Sequence, residues 1–414
     1  MVRLSGNHNS SRRERRGAGV LSDGGKRGFP VTAWSAVNSL GATTQEVISA
    51  LRRGIPSLTS PPPETPFEAI CGRLDDDLPP LEDGLGGYDS RNNRLVQRGL
   101  LEIKGPLSAA RDRWGPERIG ICVGSSTTAM DELESAYTDK LNGLEIQSGS
   151  ELFARGSAEG LVHVLREITG AQGPAAIVSN ACASSGKAFA SAKRWLEAGI
   201  VDAVLVGGAD SLCQTTLRGF RSLGLLSDEP GRPFCRDRRG INIGEGAAFA
   251  LLERQGDGPR LLGVGESTDA HHMTSPDPEG RGASAAMEAA VRDARVSMAD
   301  VGYVNAHGTG TLINDAVEAR AIRSCLGPNS DALVVSTKGY VGHTLGTAGA
   351  TEAVFVLESL RGGWVPASVG ANPLDPELKI NVPFDLCELE VGVALSNSFA
   401  FGGSNVSLAF GVPE

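Results

Sequence analysis

Three side chains in this sequence combine the types and surroundings that nucleophilic catalysis requires: Cys182, His307 and His343. Cys182 lies in the stretch Ile177-Val178-Ser179-Asn180-Ala181-Cys182-Ala183-Ser184-Ser185-Gly186. Residues 175–178 before it form an apolar run of strand length. Residues 187–198 after it are rich in alanine and close on Gly199, the pattern of a buried helix with a glycine stop. The thiol therefore sits where a strand turns into a helix N-terminus. Unpaired N–H groups and the helix dipole there favour a thiolate and can bind a developing oxyanion. Most free cysteines are small buried hydrophobes and nothing more, so the histidines decide. Only six occur. Two of them stand in glycine-dense loops directly after strands, Asn305-Ala306-His307-Gly308-Thr309-Gly310-Thr311 and Lys338-Gly339-Tyr340-Val341-Gly342-His343. Loops at the carboxyl ends of strands are where α/β folds place function. The glycines let backbone approach a ligand, and the threonines donate and accept hydrogen bonds. No carboxylate or thiol lies at ligand spacing from either histidine along the chain, so no metal site is expected.

The elements that must position these residues alternate between strand and helix. The first half offers strands at 29–37, 119–123, 175–178, 203–206 and 247–252. The second offers them at 261–264, 303–305 and 333–336, with a closing hairpin of 393–397 and 406–410 around Phe401-Gly402-Gly403. Helices are expected at 45–51, 90–112, 187–198, 283–294, from 314, and at 346–360. This alternation argues an α/β fold in two halves. The strand, short loop and Ala/Gly-rich helix around Cys182 recur around His343, as a duplicated unit would have them. The expected division is a disordered, locally basic extension at 1–28, an N-terminal half at 29–256 and a C-terminal half at 257–414. With 40% hydrophobic and 21% charged residues the 414-residue chain reads as globular. A net charge of −10 argues against nucleic acid as a partner. Seven cysteines without CxxC spacing fit a reducing cytoplasm. No apolar run reaches membrane-spanning length, so no membrane association is expected.

Taken together, the motifs resemble those of the β-ketoacyl-acyl-carrier-protein synthases of the elongating type, in the thiolase superfamily. The resemblance is carried by Ala181-Cys182-Ala183-Ser184-Ser185, by Asn305 to Thr311 with Asn314-Asp315 and Glu318, and by Ser336-Thr337-Lys338 with Gly342-His343. Gly346, Ala348-Gly349, Glu352, Asp269-Ala270 with His272-Met273-Thr274, and Asn397-Ser398-Phe399-Ala400-Phe401-Gly402-Gly403 complete it. It implies two thiolase halves stacked as α-β-α-β-α layers. It also implies a decarboxylative Claisen condensation, in which Cys182 takes an acyl group from the phosphopantetheine of an acyl carrier protein. Malonyl-carrier protein then loses CO2, and its enolate attacks the acyl-cysteine. By motif, His307 and His343 polarise the malonyl carbonyl, Lys338 and Glu352 hold the histidine loops, and the N–H groups of Cys182 and Phe401 form the oxyanion hole. Thr309, Thr311, Thr274 and Phe399 would contact substrate. No bound cofactor is implied, and a homodimer, or a heterodimer with a related subunit, is the implied assembly.

Some positions depart from the family pattern. Cys235 and Arg239 stand where aspartates are usual, Leu312 replaces a proline, and Ala400 replaces the glycine at the hinge of the Phe401 gate. Other stretches are similar to specialised synthases of the aryl-polyene type, so fatty-acid, polyene and polyketide biosynthesis all stay open. A chain-length-factor-like partner subunit would lack the cysteine. A degradative thiolase would carry a second cysteine in the C-terminal loop, where Phe399 to Gly403 has none. Carrier proteins are acidic, so docking is expected on local cations: Arg91, Arg94 and Arg98 on one helix, with Arg218 and Arg221 as a second patch. Thr127, in the loop after the 119–123 strand, is expected to narrow the acyl tunnel.

Overall fold

A computed structural model of the chain describes residues 27–75, 77–145 and 148–413. The expected extension at 1–28 lies, apart from Arg27 and Gly28, outside the described residues. Ten strands build the main sheet: β1 (Phe29–Asn38), β2 (Ile119–Gly124), β3 (Ala175–Val178), β4 (Ala203–Asp210), β5 (Gly246–Glu253), β6 (Arg260–Thr268), β7 (Val301–Asn305), β8 (Leu333–Val335), β9 (Val393–Ala400) and β10 (Ser404–Gly411). Their spatial order is β8-β7-β9-β10-β6-β1-β5-β4-β2-β3.

Read outward from the β1–β6 junction, each half has the same order. The first runs β1-β5-β4-β2-β3 and the second β6-β10-β9-β7-β8, every strand displaced by five. The senses match as well: β1/β5 and β5/β4 are antiparallel, β4/β2 and β2/β3 parallel, and their counterparts follow suit. Along the sheet, the halves pair through two residue pairs among the described residues, Phe29 with Leu261 and Pro30 with Arg260. The internal duplication suspected from two loop–helix units is thus a duplication of whole topology. Cys182 follows β3 and His343 follows β8, its counterpart.

Three of the four apolar clusters among the described residues lie between the layers. The central one surrounds the helices Ser184–Glu197 and Ala348–Gly362, which pack on each other between the two half-sheets. Its interior position explains why residues 348–360 are buried all round, the paired carboxylates Glu352 and Glu358 included. The other two clusters lie beneath outer helices, among them Arg91–Glu102 on the first half and Arg281–Ala294 on the second. The central helices approach closely because glycine faces glycine. A Cβ on Gly349 would lie 3.0 Å from the Gly186 nitrogen, and one on Gly124 only 2.2 Å from the Ser185 nitrogen.

One expected element is split. Residues 90–112 form two helices, Arg91–Glu102 and Lys104–Trp114. Pro106 has no N–H to donate and is tolerated only within a first turn, so the second helix restarts two residues before it. The helix expected from Asn314 begins at Leu312, because the Thr311 side chain accepts from the Asn314 N–H and caps it there. Among the described residues, no helix is long and apolar enough to cross a membrane.

Candidate active site

Cys182 is delivered by a tight turn between β3 and the Ser184–Glu197 helix. Ala181 adopts φ +44°, sparsely populated for a residue with a Cβ. The Ser184 hydroxyl holds the turn by accepting from the Asn180 N–H (2.8 Å) and donating to the Ala181 carbonyl (2.6 Å). The backbone N–H groups of Cys182 and Phe401 both act on the thiol in favour of its thiolate. Two N–H groups beside one thiol have the chemistry to hold an oxyanion on a cysteine-bound carbonyl.

The expected stable thiolate is not what this environment favours. Burial pushes the Cys182 thiol up to about 11, against the opposing pull of Lys338 and the two amides, and Asp210 raises it further. The helix end is outweighed because its N–H groups act on a group stripped of water.

His307 and His343 reach the same point from the other half. Ring atoms of both lie, with the thiol sulfur, within 4.8 Å of one another. The rings are perpendicular with centroids 5.2 Å apart. Burial first, then the Lys338 charge, holds both imidazoles well below the usual histidine range, so they are neutral. Lys338 Nζ lies 3.4 Å from His307 Nδ1. An ammonium can only donate, so Nδ1 accepts and the ring proton sits on Nε2. Lys338 is held in turn by a buried ion pair with Glu352. The His307 loop is clamped by Glu318, which accepts from the His307 and Gly308 N–H groups, each at 2.7 Å, and whose carboxyl burial pushes up to about 7. The Ser336 hydroxyl donates to the Gly308 carbonyl (2.6 Å). Among the described residues, neither His343 ring nitrogen has a hydrogen-bond partner.

The trio opens into a cavity of about 440 Å³. Its walls include Thr274, Thr309, Thr311, Phe399 and Phe401, all expected contacts of substrate. The Thr309 and Thr311 hydroxyls are 3.1 Å apart, and the Phe399 ring centroid lies 6.2 Å from that of His307. Phe401 stacks on Phe220 with centroids 5.6 Å apart, closing one side of the mouth.

The chain's residues 107–258 match the β-ketoacyl synthase N-terminal domain, and residues 260–372 match the β-ketoacyl synthase C-terminal domain. A 3-oxoacyl-[acyl-carrier-protein] synthase 2 from Vibrio harveyi is 34% identical over 316 residues, 71% of this chain and 75% of that protein. The chain belongs to the β-ketoacyl synthase family. Nodulation protein E of a Rhizobium species (strain N33) is 29% identical over 92% of this chain and 98% of its own length. Among solved structures, a ketosynthase in complex with its chain length factor, from Xenorhabdus doucetiae, superposes with a TM-score of 0.83 at 38% identity. That match covers 93% of this chain and 98% of the other. The ishigamide ketosynthase/chain length factor superposes at 0.86 with 25% identity, over 94% and 99% of the two chains.

Within this family site, several expectations need correction. Thr127 does not line the cavity: its hydroxyl and N–H both bond to Asp210 Oδ1, each at 2.8 Å. The basic helix is not a free cationic face. Arg91 is paired with buried Glu245, Arg94 with Asp89 at 2.6 Å, and Arg98 faces Glu102 at 3.7 Å. Those charges are spent on the fold: Asp89 and Glu102 are near in sequence, and Glu245 is brought in from 154 residues away. Arg218 and Arg221 are exposed on the helix Gln214–Ser222, which also carries Phe220. The Arg221 guanidinium lies 4.2 Å from the Phe67 ring centroid. The spacing argument against a metal also fails, since folding brings a thiol beside both histidines.

Sequence reasoning missed Asp210. Buried at the end of β4, it accepts six hydrogen bonds. Ser125 Oγ (2.9 Å), the Ser126 and Thr127 N–H groups and Thr127 Oγ1 (2.8 Å each) reach Oδ1. The Thr347 N–H (3.0 Å) and hydroxyl (3.3 Å) reach Oδ2. It ties the loop beneath Cys182 to the segment that follows His343. Only the abrupt aspartate after an apolar strand signalled it.

Proposed function

We propose that the chain catalyses decarboxylative condensation of a Cys182-bound acyl thioester with malonyl-acyl-carrier protein. The observation that carries this is the convergence of one buried thiol, two neutral imidazoles and two backbone N–H groups on one cavity. With the thiol near 11, loading requires a base within reach, and His343, whose ring nitrogens are unpartnered, fits that role. The thiol proton passes to the imidazole as sulfur attacks the carrier thioester, and then to the departing pantetheine thiolate. His307, with its proton on Nε2, donates to the malonyl carbonyl as the carboxylate leaves as CO2 and its electrons form the enolate. Carbon–carbon bond formation places negative charge on the acyl oxygen, opposite the Cys182 and Phe401 amides. Its collapse restores the carbonyl and expels the Cys182 thiolate, which takes one proton from solvent by way of His343.

Acyl carrier protein is the partner, and its phosphopantetheine carries the substrates, so no other cofactor enters. Docking fits the cavity mouth better than the Arg91 helix. Leu223, Met273, Leu312 and Ile313 all line the cavity and are 49%, 77%, 61% and 60% exposed, an apolar collar beside Arg218 and Arg221. The collar matches the apolar contacts a carrier helix offers, and the arginines match its acidic charge. Similarity to ketosynthases solved with chain length factors supports a heterodimer and a specialised polyene or polyketide pathway, with a homodimer in fatty-acid synthesis as the alternative reading. The two units are taken as 29–256 and 257–414, and the compartment as cytoplasmic. A non-elongating partner subunit is opposed by the complete trio. Cys182→Gln tests the division of labour: it should decarboxylate malonyl-carrier protein without condensing it. Condensation by this variant, or loss of decarboxylation with the fold intact, would overturn the proposal.

A further inference from the structure

We infer that Cys182, His307 and His343 form a reversible inhibitory site for a thiophilic divalent cation, zinc above all, that excludes the acyl group. The inference regulates the site just proposed for condensation, but its binding arm needs no acyl chemistry. One sulfur and two imidazole nitrogens, all buried, lie within 4.8 Å of one another. Zinc binds sulfur at about 2.3 Å and imidazole at about 2.0–2.1 Å, which puts neighbouring tetrahedral ligands roughly 3.3–3.6 Å apart. Closing the trio on an ion therefore asks for side-chain rotation on the order of 1 Å, with no movement of the sheet.

The donors are available. Neither His343 ring nitrogen has a hydrogen-bond partner among the described residues. Zinc at His307 Nε2 takes the other tautomer, with the ring proton moved to Nδ1 and Lys338 turned wholly to Glu352. Glu352, paired with Lys338, offsets part of the Lys338 charge that acts on both rings. A donor set of one thiolate and two imidazoles suits zinc or copper, and not magnesium or calcium. On binding, the Zn–S bond replaces the S–H bond and the thiol proton leaves to solvent. Three protein ligands leave a fourth position facing the cavity of about 440 Å³, for water or an arriving pantetheine thiol. Acylation removes the thiolate ligand, so metal and acyl group compete for the same sulfur.

The test is zinc titration of the unacylated full chain against a chromophoric chelator, with cobalt as the spectroscopic probe. One zinc per chain is expected, and bound cobalt should show tetrahedral bands with a thiolate charge-transfer band. Cys182→Ala and His343→Ala should each weaken binding at least tenfold. Alkylating Cys182 of the unmutated protein with iodoacetamide should do the same without risk to folding. The paired exposed histidines are the rival site, so His271→Ala/His272→Ala should leave the one-zinc affinity unchanged. Undiminished binding after alkylation, loss in the His271/His272 variant, or no binding would overturn the inference. Zinc binding by a chain that condenses nothing would instead refute only the functional reading.

Discussion

The pH dependence of Cys182 reactivity separates two accounts of how this thiol is used. A thiol at about 11 is ionised to roughly 10⁻⁴ at pH 7, against about 10⁻² for an unperturbed one at 9.0. Burial thus costs the thiolate about 3 kcal/mol net of what Lys338 and the two amides return. Alkylation by iodoacetamide, followed by mass spectrometry of the Cys182 peptide, should rise about tenfold per pH unit from 7 to 10 and level off near 11. Acyl loading should not follow that slope, because His343 removes the proton within the complex. His343→Ala should slow loading by about 10²–10⁴, the range for one positioned base. The alkylation midpoint should not fall in that variant. A plateau in alkylation below pH 9, with loading intact in His343→Ala, would mean that the helix end alone activates the thiol.

Lys338→Met strands Glu352 without its cation, and breaking a buried pair costs about 3–5 kcal/mol. The double variant Lys338→Met/Glu352→Leu should regain most of that in chemical denaturation yet leave decarboxylation impaired, since His307 Nδ1 has lost its donor. Full activity in the double variant would make the pair purely structural. Asp210→Asn replaces one acceptor oxygen by an NH2 group, so it cannot serve both Thr347 and the Ser125–Thr127 donors. It should lose about 2–3 kcal/mol, the scale of one or two charge-assisted bonds. Condensation should fall more than malonyl-carrier KM rises, and a pure KM effect would argue against positioning. Leu312→Glu/Ile313→Glu should raise KM for carrier-bound substrates at least tenfold and spare small thioesters. Equal loss on both would place the collar outside the docking face.

Much of this was legible in the sequence because the site is made of short motifs at strand ends. Cys182, His307, Lys338, His343 and Phe401 follow strands whose apolar runs are unmistakable, and each glycine-rich loop announces the turn that follows. The two-half arrangement showed only as a loop–helix echo, because strand order is a long-range property. Thr127 was misread for a related reason: its acceptor, Asp210, lies 83 residues away. Arg91 likewise finds Glu245 at a separation of 154 residues, so its charge looked free. The thiol's raised position was hidden too, since desolvation comes from the packed central layer and not from the residues beside Cys182.

The central claim is that Cys182 is the covalent carrier of an acyl group that malonyl-carrier protein then elongates. Intact-mass and peptide mass spectrometry, on protein mixed first with an acyl-carrier protein and then with malonyl-carrier protein, tests it in one experiment. The acyl mass should appear on the Cys182 peptide alone, then vanish as a β-ketoacyl-carrier product two carbons longer and one CO2 per turnover are released. Acyl mass on another residue, or an acyl-Cys182 that persists while malonyl-carrier protein is consumed, would contradict the account.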